Sequence, residues 1–340
     1  MSHRLETARK LGMDARAADA RGDPETALRL FDEAIALLDD APADPLLADL
    51  LRWKGTTHRE RGETQTAQTL YEHSLEVADR ASGTSARAHG LNCLGIVAQR
   101  RGHLDAAEDY YARAAADARR LGDRQLLGMI NQNRGALADT RGQTEVARVH
   151  YEASLAAYEE ANNTEAASWV LNNLGMLYTA AGEFDEAAAA LHRGLELATS
   201  RGDLRMQGLL QLNLAELHMR AIDLDAADVA LRSGQALAAV RGDQSQIAES
   251  LRLRGKHYRL RGQLAEARAI LGEAIERAQR VDDALLTAEI LRELAEVSAS
   301  EQAHEPAAMR QAFERAAASF QEIGALAGAE EMKRRLTLIR

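Results

Sequence analysis

One period governs this chain. Gly22, Gly62, Gly102, Gly142, Gly182 and Gly262 fall on a column forty residues apart, broken at Ile222. Alanine fills a second column five residues downstream, at Ala27, Ala67, Ala107, Ala147, Ala187, Ala227 and Ala267. A third column of small residues lies seven upstream: Ala15, Gly55, Gly95, Gly135, Gly175, Ala215, Gly255 and Ala295. Three columns in register along most of the sequence mark a tandem array, in which one supersecondary element is stacked on copies of itself.

The chemistry of the columns identifies that element. A glycine at a fixed interval supplies the left-handed conformation that ends a helix without a Cβ clash. A second turn series sits half a period away, at Gly122-Asp123, Gly202-Asp203 and Gly242-Asp243, with Gly83-Thr84 and Asn163-Thr164 as variants. There glycine or asparagine closes one helix and the next residue caps the following one. Asp23-Pro24-Glu25 is a cap followed by proline at the first helical position, where its missing N–H is harmless. Each repeat is therefore two helices of about 15 to 17 residues joined by tight turns. The small columns suit close helix crossings. Phe31, Tyr71, Tyr111, Tyr151, Leu191, Leu231 and Leu271, four residues after each alanine, share its helix face. Composition agrees with an all-α chain: aromatic residues make up 4% and there are 4 prolines, too few of either for a β-sandwich or barrel. Only four lysines occur, so arginine carries most of the positive charge; with the abundant alanine this is the mark of a GC-rich genome.

A small residue at the eighth place of the first helix, tyrosine three later, glycine at the turn, then alanine and an aromatic resembles the tetratricopeptide repeat (TPR). The best copy is Leu171-Asn-Asn-Leu-Gly-Met-Leu-Tyr178 followed by Gly182-Glu-Phe-Asp-Glu-Ala187. Forty-residue repeats resemble the LGN/Pins and kinesin-light-chain types and the TPR regions of bacterial regulators, so a bacterial source is expected. The resemblance implies a right-handed α-solenoid, a superhelix of helical hairpins forming a single domain. Counting gives eight repeats, at about 3–42, 43–82, 83–122, 123–162, 163–202, 203–242, 243–282 and 283–324. The stretch 326–340 reads as an amphipathic helix capping the last apolar face. Departures gather at the ends. Lys10 and Asp14 take normally apolar places in the first repeat, and Ser300-Glu-Gln-Ala-His304 replaces Arg-Gly-x in the eighth.

Several function classes are excluded. With 42 Lys+Arg against 52 Asp+Glu, the net charge of −10 disfavours nucleic acid as a partner. No apolar run reaches the roughly 20 residues that span a bilayer, so no membrane insertion is expected. The opening Met1-Ser2-His3-Arg4-Leu5-Glu6 lacks the apolar segment of a secretion signal, and the cytoplasm is the expected location. Cys93 is the single cysteine, which removes disulfides and cysteine-built zinc sites. No phosphate-binding loop, zinc-protease helix, nucleophile elbow or dinucleotide fingerprint occurs. The 10 histidines lack metal-ligand spacing; His58 and His218 lie on the Tyr178 and Tyr258 column, and His257 lies beside it with no companion. No enzyme, no cofactor and no metal are expected.

Binding is the remaining chemistry. In TPR proteins the inner groove is lined mainly by the second, fifth, sixth, ninth, twelfth and thirteenth places of each first helix. Here the fifth place reads Arg52, Asn92, Gln132, Asn172, Leu212, Arg252, Arg292, and the sixth Trp53, Cys93, Asn133, Asn173, Asn213, Leu253, Glu293. Repeats three to six thus project a ladder of carboxamides, groups that both donate and accept and can pair with a peptide backbone. Asparagine is a poor residue for a helix interior, so its recurrence has a local cause: either a bound segment or bonds to neighbouring helices. Met129, Trp169, Met176 and Leu209 flank the ladder as apolar anchors. The candidate peptide-binding set is Asn92, Met129, Gln132, Asn133, Trp169, Asn172, Asn173, Met176, Leu209 and Asn213. Towards the C-terminal end the same face turns charged, with Glu216, Glu249, Glu289, Glu293 and Glu296 against Arg220, Arg252, Lys256, Arg259 and Arg292, a pattern read as a solvated face with internal ion pairs.

The expected function is a non-catalytic protein-interaction scaffold holding a peptide segment of a partner protein in the groove. Two alternatives stand beside it. One is a sensor of a short signalling peptide that titrates an effector, as the bacterial regulators imply. The other is self-assembly into a homo-oligomer, with Met332-Lys-Arg-Arg-Leu-Thr-Leu-Ile339 as the docking surface.

Overall fold

In the computed structural model, which describes residues 2–38, 41, 43–81, 84–301 and 306–339, the described residues form seventeen helices and no strand. The chain divides into two compact units, Met1–Val170 and Leu171–Arg340. The first unit contains α1 (Ser2–Ala20), α2 (Pro24–Ala36), α3 (Pro45–Glu60), α4 (Thr64–Arg80), α5 (Thr84–Arg100), α6 (Leu104–Leu121), α7 (Arg124–Thr140) and α8 (Thr144–Glu160). The boundary falls inside α9 (Thr164–Ala181). The second unit contains α10 (Phe184–Ser200), α11 (Leu204–Arg220), α12 (Leu224–Arg241), α13 (Gln244–Leu260), α14 (Leu264–Arg280), α15 (Ala284–Glu301), α16 (Pro306–Glu322) and α17 (Leu326–Thr337). Within each unit consecutive helices pack pairwise, and first helices of neighbouring hairpins touch, α3 against α5 and α11 against α13 among them. Gly83, residues 302–305 of the eighth-repeat departure and Arg340 lie outside the described residues.

The turns form as the glycine columns predict. Gly22, Gly62, Gly102, Gly142, Gly182 and Gly262 have φ between 70° and 83°. Ile222 takes the same conformation at φ 64°, so the sixth repeat keeps its turn with a β-branched residue. In the half-period series Asp123, Asp203 and Asp243 accept from backbone N–H groups of the helices they open. The asparagine that closes the helix is Asn162, forty residues from Gly122 and Gly202, and not Asn163 as expected. Asn162 carries the positive φ, and Asn163 is the cap, accepting from Ala166 N.

The small-residue column receives the ring or isobutyl group sixteen residues on. A Cβ on Gly55, Gly95 or Gly135 would lie 2.5–2.7 Å from the ring of Tyr71, Tyr111 or Tyr151. On Gly175 or Gly255 it would meet Leu191 or Leu271 at 2.5 and 2.4 Å. These five hairpins close by this insertion, which demands interior-like packing density.

The turn arginines link one hairpin to the next. Arg61 donates to Glu25 at 2.5 Å, Arg101 to Gln65 at 2.7 Å and Arg141 to Asp105 at 2.7 Å, and Arg261 pairs with Asp225. Partner and arginine are thirty-six residues apart each time, so Arg-Gly supplies a turn and a clamp on the preceding repeat. At the end of the second unit Ala329 and Met332 of α17, with Ile339 just beyond it, pack in one cluster with Phe313 and Phe320, while Arg335 Nε donates to Glu296 at 2.8 Å.

Candidate functional site

The candidate residues lie on the faces of the first helices. Because Arg52 and Trp53, Asn92 and Cys93, Gln132 and Asn133 recur at forty-residue spacing on α3, α5 and α7, each pair projects from the same two places of its helix.

In the first unit Asn92 is 2% exposed and accepts from Asn133 Nδ2 at 2.9 Å. A fifth-place amide of one repeat thereby holds a sixth-place amide of the next. Asn133 and Gln132 are half-buried, and Gln132 makes no side-chain hydrogen bond among the described residues. Met129 lines a cavity of about 270 Å³ with His89, Asp123, Tyr158 and Asn163. Burial, reinforced by Arg52, pushes the His89 pKa down to about 4, so its ring is neutral at physiological pH. Cys93 is buried, and burial pushes its thiol pKa up; it is not an activated nucleophile. Trp169 is half-buried on α9.

The second unit repeats the amide pair. Asn172, 3% exposed, accepts from Asn213 Nδ2 at 2.6 Å and points its own Nδ2 at Met176 Sδ, 3.6 Å away. Met176 is 53% exposed. Asn173 and Leu209 are half-buried, and Asn173 makes no side-chain hydrogen bond among the described residues. Among the candidates, then, the structure joins Asn92 to Asn133 and Asn172 to Asn213 and Met176.

Met176 and Asn213 also form the rim of a cavity of about 310 Å³ whose wall is charged: Glu216, Arg220, Glu249, Arg252, Glu289 and Arg292. The sequence suggested a solvated face here; the structure buries its centre. Arg252 is 6% exposed and binds Glu249 through two contacts of 2.6 and 2.8 Å, with Glu289 at 3.5 Å and Glu293 at 3.9 Å. Burial pulls the Arg252 pKa down, but Glu249, Glu289 and Glu216 outweigh it and hold it above the ordinary arginine value. Burial pushes Glu249 up against the pull of Arg252, with Glu289 and Glu216 adding to the rise. Glu216 is also pushed up by burial, yet Lys256, bonded at 2.5 Å, brings its net pKa below the usual value. Glu216 Oε2 has no hydrogen-bond partner among the described residues. This buried network was missed as a site. Its signal was the exchange of amides for opposite charges at the places that pair between repeats.

His257 is 3% exposed and its Nε2 meets Leu224 O at 2.9 Å, a packing role. Among the described residues no three His, Cys, Asp or Glu side chains are grouped to hold a metal, and no helix is long and apolar enough to cross a membrane.

Comparison with known proteins places this architecture. A family model of the tetratricopeptide repeat matches residues 46–120, 84–160 and 133–200. No curated protein matches the chain. Among solved structures, the apo form of RapI superimposes with a TM-score of 0.63 at 11% identity, covering 81% of this chain and 99% of its own. A Rap protein complexed with Competence and Sporulation Factor gives 0.57 at 17% identity, over 85% of this chain and 74% of that one. A signal-transduction ATPase with a tetratricopeptide-repeat sensor, from Pyrococcus horikoshii, gives 0.68 at 13% identity, over 96% of this chain and 50% of that one. At these identities the likeness is one of fold.

Proposed function

Since a tetratricopeptide-repeat model matches residues 46–200 and the fold is that of the Rap and sensor types, we propose that the chain is a tetratricopeptide-repeat protein and a non-catalytic, cytoplasmic scaffold that holds a peptide segment of a partner protein on its first-helix faces. The observation that carries this is the duplicated asparagine pair. Asn92 and Asn172 are buried positioning residues, each holding one N–H of a more exposed amide. Asn133 and Asn213 keep a second N–H and the carbonyl oxygen, the donor and acceptor that a peptide bond requires. Because that recognition is of backbone, it accepts an extended segment regardless of its side chains. Met176 beside Asn213 and Met129 in its own cavity supply adaptable apolar contacts that discriminate among segments. Trp169, Asn173, Gln132 and Leu209 extend the same faces. A neighbour in fold crystallised with Competence and Sporulation Factor supports recognition of a partner by such an array.

Affinity capture from the native lysate tests the reading, comparing the wild type with the Asn133→Ala/Asn173→Ala/Asn213→Ala variant. A partner retained by the wild type and lost by the variant is expected. Equal retention by both would move the interface off the amide faces.

A further inference from the structure

The second and seventh repeats carry the same pair of arginines five periods apart: Arg52 and Arg59 on α3, Arg252 and Arg259 on α13. Each pair is spaced by two helical turns, so both guanidiniums lie on one face. Their acidic neighbour at the second place also matches, Asp49 in one repeat and Glu249 in the other. Asp49 binds Arg52 at 2.8 Å as Glu249 binds Arg252 at 2.6 Å.

The repeats differ in what the following helix offers. In the seventh, α15 presents Glu289 and Glu293, and these carboxylates meet the arginines: Glu289 with Arg252 at 3.5 Å, Glu293 with Arg252 at 3.9 Å and with Arg259 at 3.3 Å. In the second, the same two places on α5 are His89 and Cys93. Neither is an anion: His89 is a neutral imidazole and Cys93 a buried thiol. Both Arg52 and Arg59 nonetheless lie close enough to Cys93 to act on its thiol, as Arg259 acts on Glu293.

Two guanidiniums are left short of charge. Arg52 and Arg59 side chains are only 14% and 15% exposed. Arg52 Nε has no acceptor, whereas Arg252 Nε donates to Glu249 at 2.8 Å. The carboxylate bound to Arg59 is that of the adjacent Glu60, at 3.4 Å and itself 60% exposed. A third guanidinium, exposed Arg16, stacks over Trp53 at 4.9 Å, with Arg52 at 5.5 Å from the same ring. Each guanidinium thus keeps a single carboxylate where its seventh-repeat counterpart meets those of α15 as well; mostly buried guanidiniums with unfilled donors are costly, and their planar forks match carboxylates.

We propose that the α3–α5 face of the first unit is a docking site for an acidic polypeptide segment, whose side-chain carboxylates take the places that Glu289 and Glu293 fill in the seventh repeat. The site deepens the scaffold reading by fixing the chemistry of one part of the partner, and it uses side chains other than those of the amide pairs, although Cys93 is the chain neighbour of Asn92.

The test uses the full chain and a fluorescein-labelled hexaglutamate peptide, acetylated and amidated, followed by anisotropy in low salt. Saturable binding is expected, with affinity reduced about tenfold or more by Arg59→Gln and by Cys93→Glu. The second variant supplies the missing carboxylate from within, so it is also expected to keep or raise the unfolding midpoint at neutral pH. Asn133→Ala/Asn213→Ala leaves hexaglutamate binding unchanged, which separates failure of this site from failure of the amide reading. Absence of saturable binding would overturn the proposal, as would equal binding by Cys93→Glu with its fold intact by circular dichroism. Equal binding of hexaglutamine with a free C-terminal carboxylate would also overturn it, because the arginines would then be reading a chain terminus.

Discussion

Replacing Ile222 by glycine should stabilise the sixth repeat. Ile222 occupies the turn column held by glycine in most other repeats and has φ 64°. The left-handed conformation costs a side-chain-bearing residue about 1–2 kcal/mol, with β-branching placing isoleucine at the upper end. The side chain is 83% exposed, so almost no burial is lost on removing it. Glycine gives back about 0.5–1 kcal/mol through the greater freedom of the unfolded chain. The net gain is about 1 kcal/mol, equivalent to roughly fivefold less local opening. In a repeat array the effect belongs to the hairpin itself, so native-state hydrogen exchange is the suitable assay. The amides to follow are those closing the turn, Ile222 N to Met219 O and Asp223 N to His218 O. They should exchange about fivefold more slowly in Ile222→Gly. Unchanged or faster exchange would refute the argument that this turn is strained rather than adapted.

Gly135→Ala should destabilise by about 1–3 kcal/mol, because its Cβ would lie 2.6 Å from the Tyr151 ring in a packed core; urea unfolding followed at the tyrosines measures this. Asn92→Ala removes the acceptor that holds Asn133 and should cost about 1 kcal/mol, while Asn92→Ala/Asn133→Ala should cost less than the sum of its parts in a double-mutant cycle. His89 titrates near pH 4 in the folded chain because of burial first and Arg52 second, against 6.5 for an ordinary histidine. Between those values the unfolded chain binds a proton that the folded one does not, so stability is full above about pH 6.5 and falls as pH drops towards 4, by at most about 3 kcal/mol. That slope should flatten in His89→Gln, read as the urea midpoint against pH.

The hairpin architecture was legible because its causes are local and periodic. Gly62 or Gly102 must turn the chain whatever surrounds it, and Ala67 or Tyr71 shows its helix face by spacing alone. What the columns could not disclose was which column meets which. That Gly55 receives the Tyr71 ring, or that Arg141 clamps Asp105 of the preceding repeat, depends on how one hairpin settles against another. The amide residues show the same division. Their recurrence pointed to a local reason, and the choice between ligand and neighbour could not be made from one helix at a time. Asn92 and Asn172 are bonded to the next repeat, and Asn133 and Asn213 retain capacity beyond that bond. The charged run from Glu216 to Glu296 looked solvated because charge usually is. Its burial follows from Arg252 being surrounded by carboxylates of two helices, α13 and α15, a circumstance of packing.

The claim that a partner lies on the first-helix faces is tested most directly by photo-cross-linking from one residue on such a face and one off it. Met176, exposed beside Asn213 on α9, and Val149, exposed on the second helix α8, are the two positions for a benzoylphenylalanine side chain. In native lysate the account predicts a discrete adduct from position 176 that disappears with Asn213→Ala, and none from position 149. An adduct from position 149 with none from position 176 would contradict it.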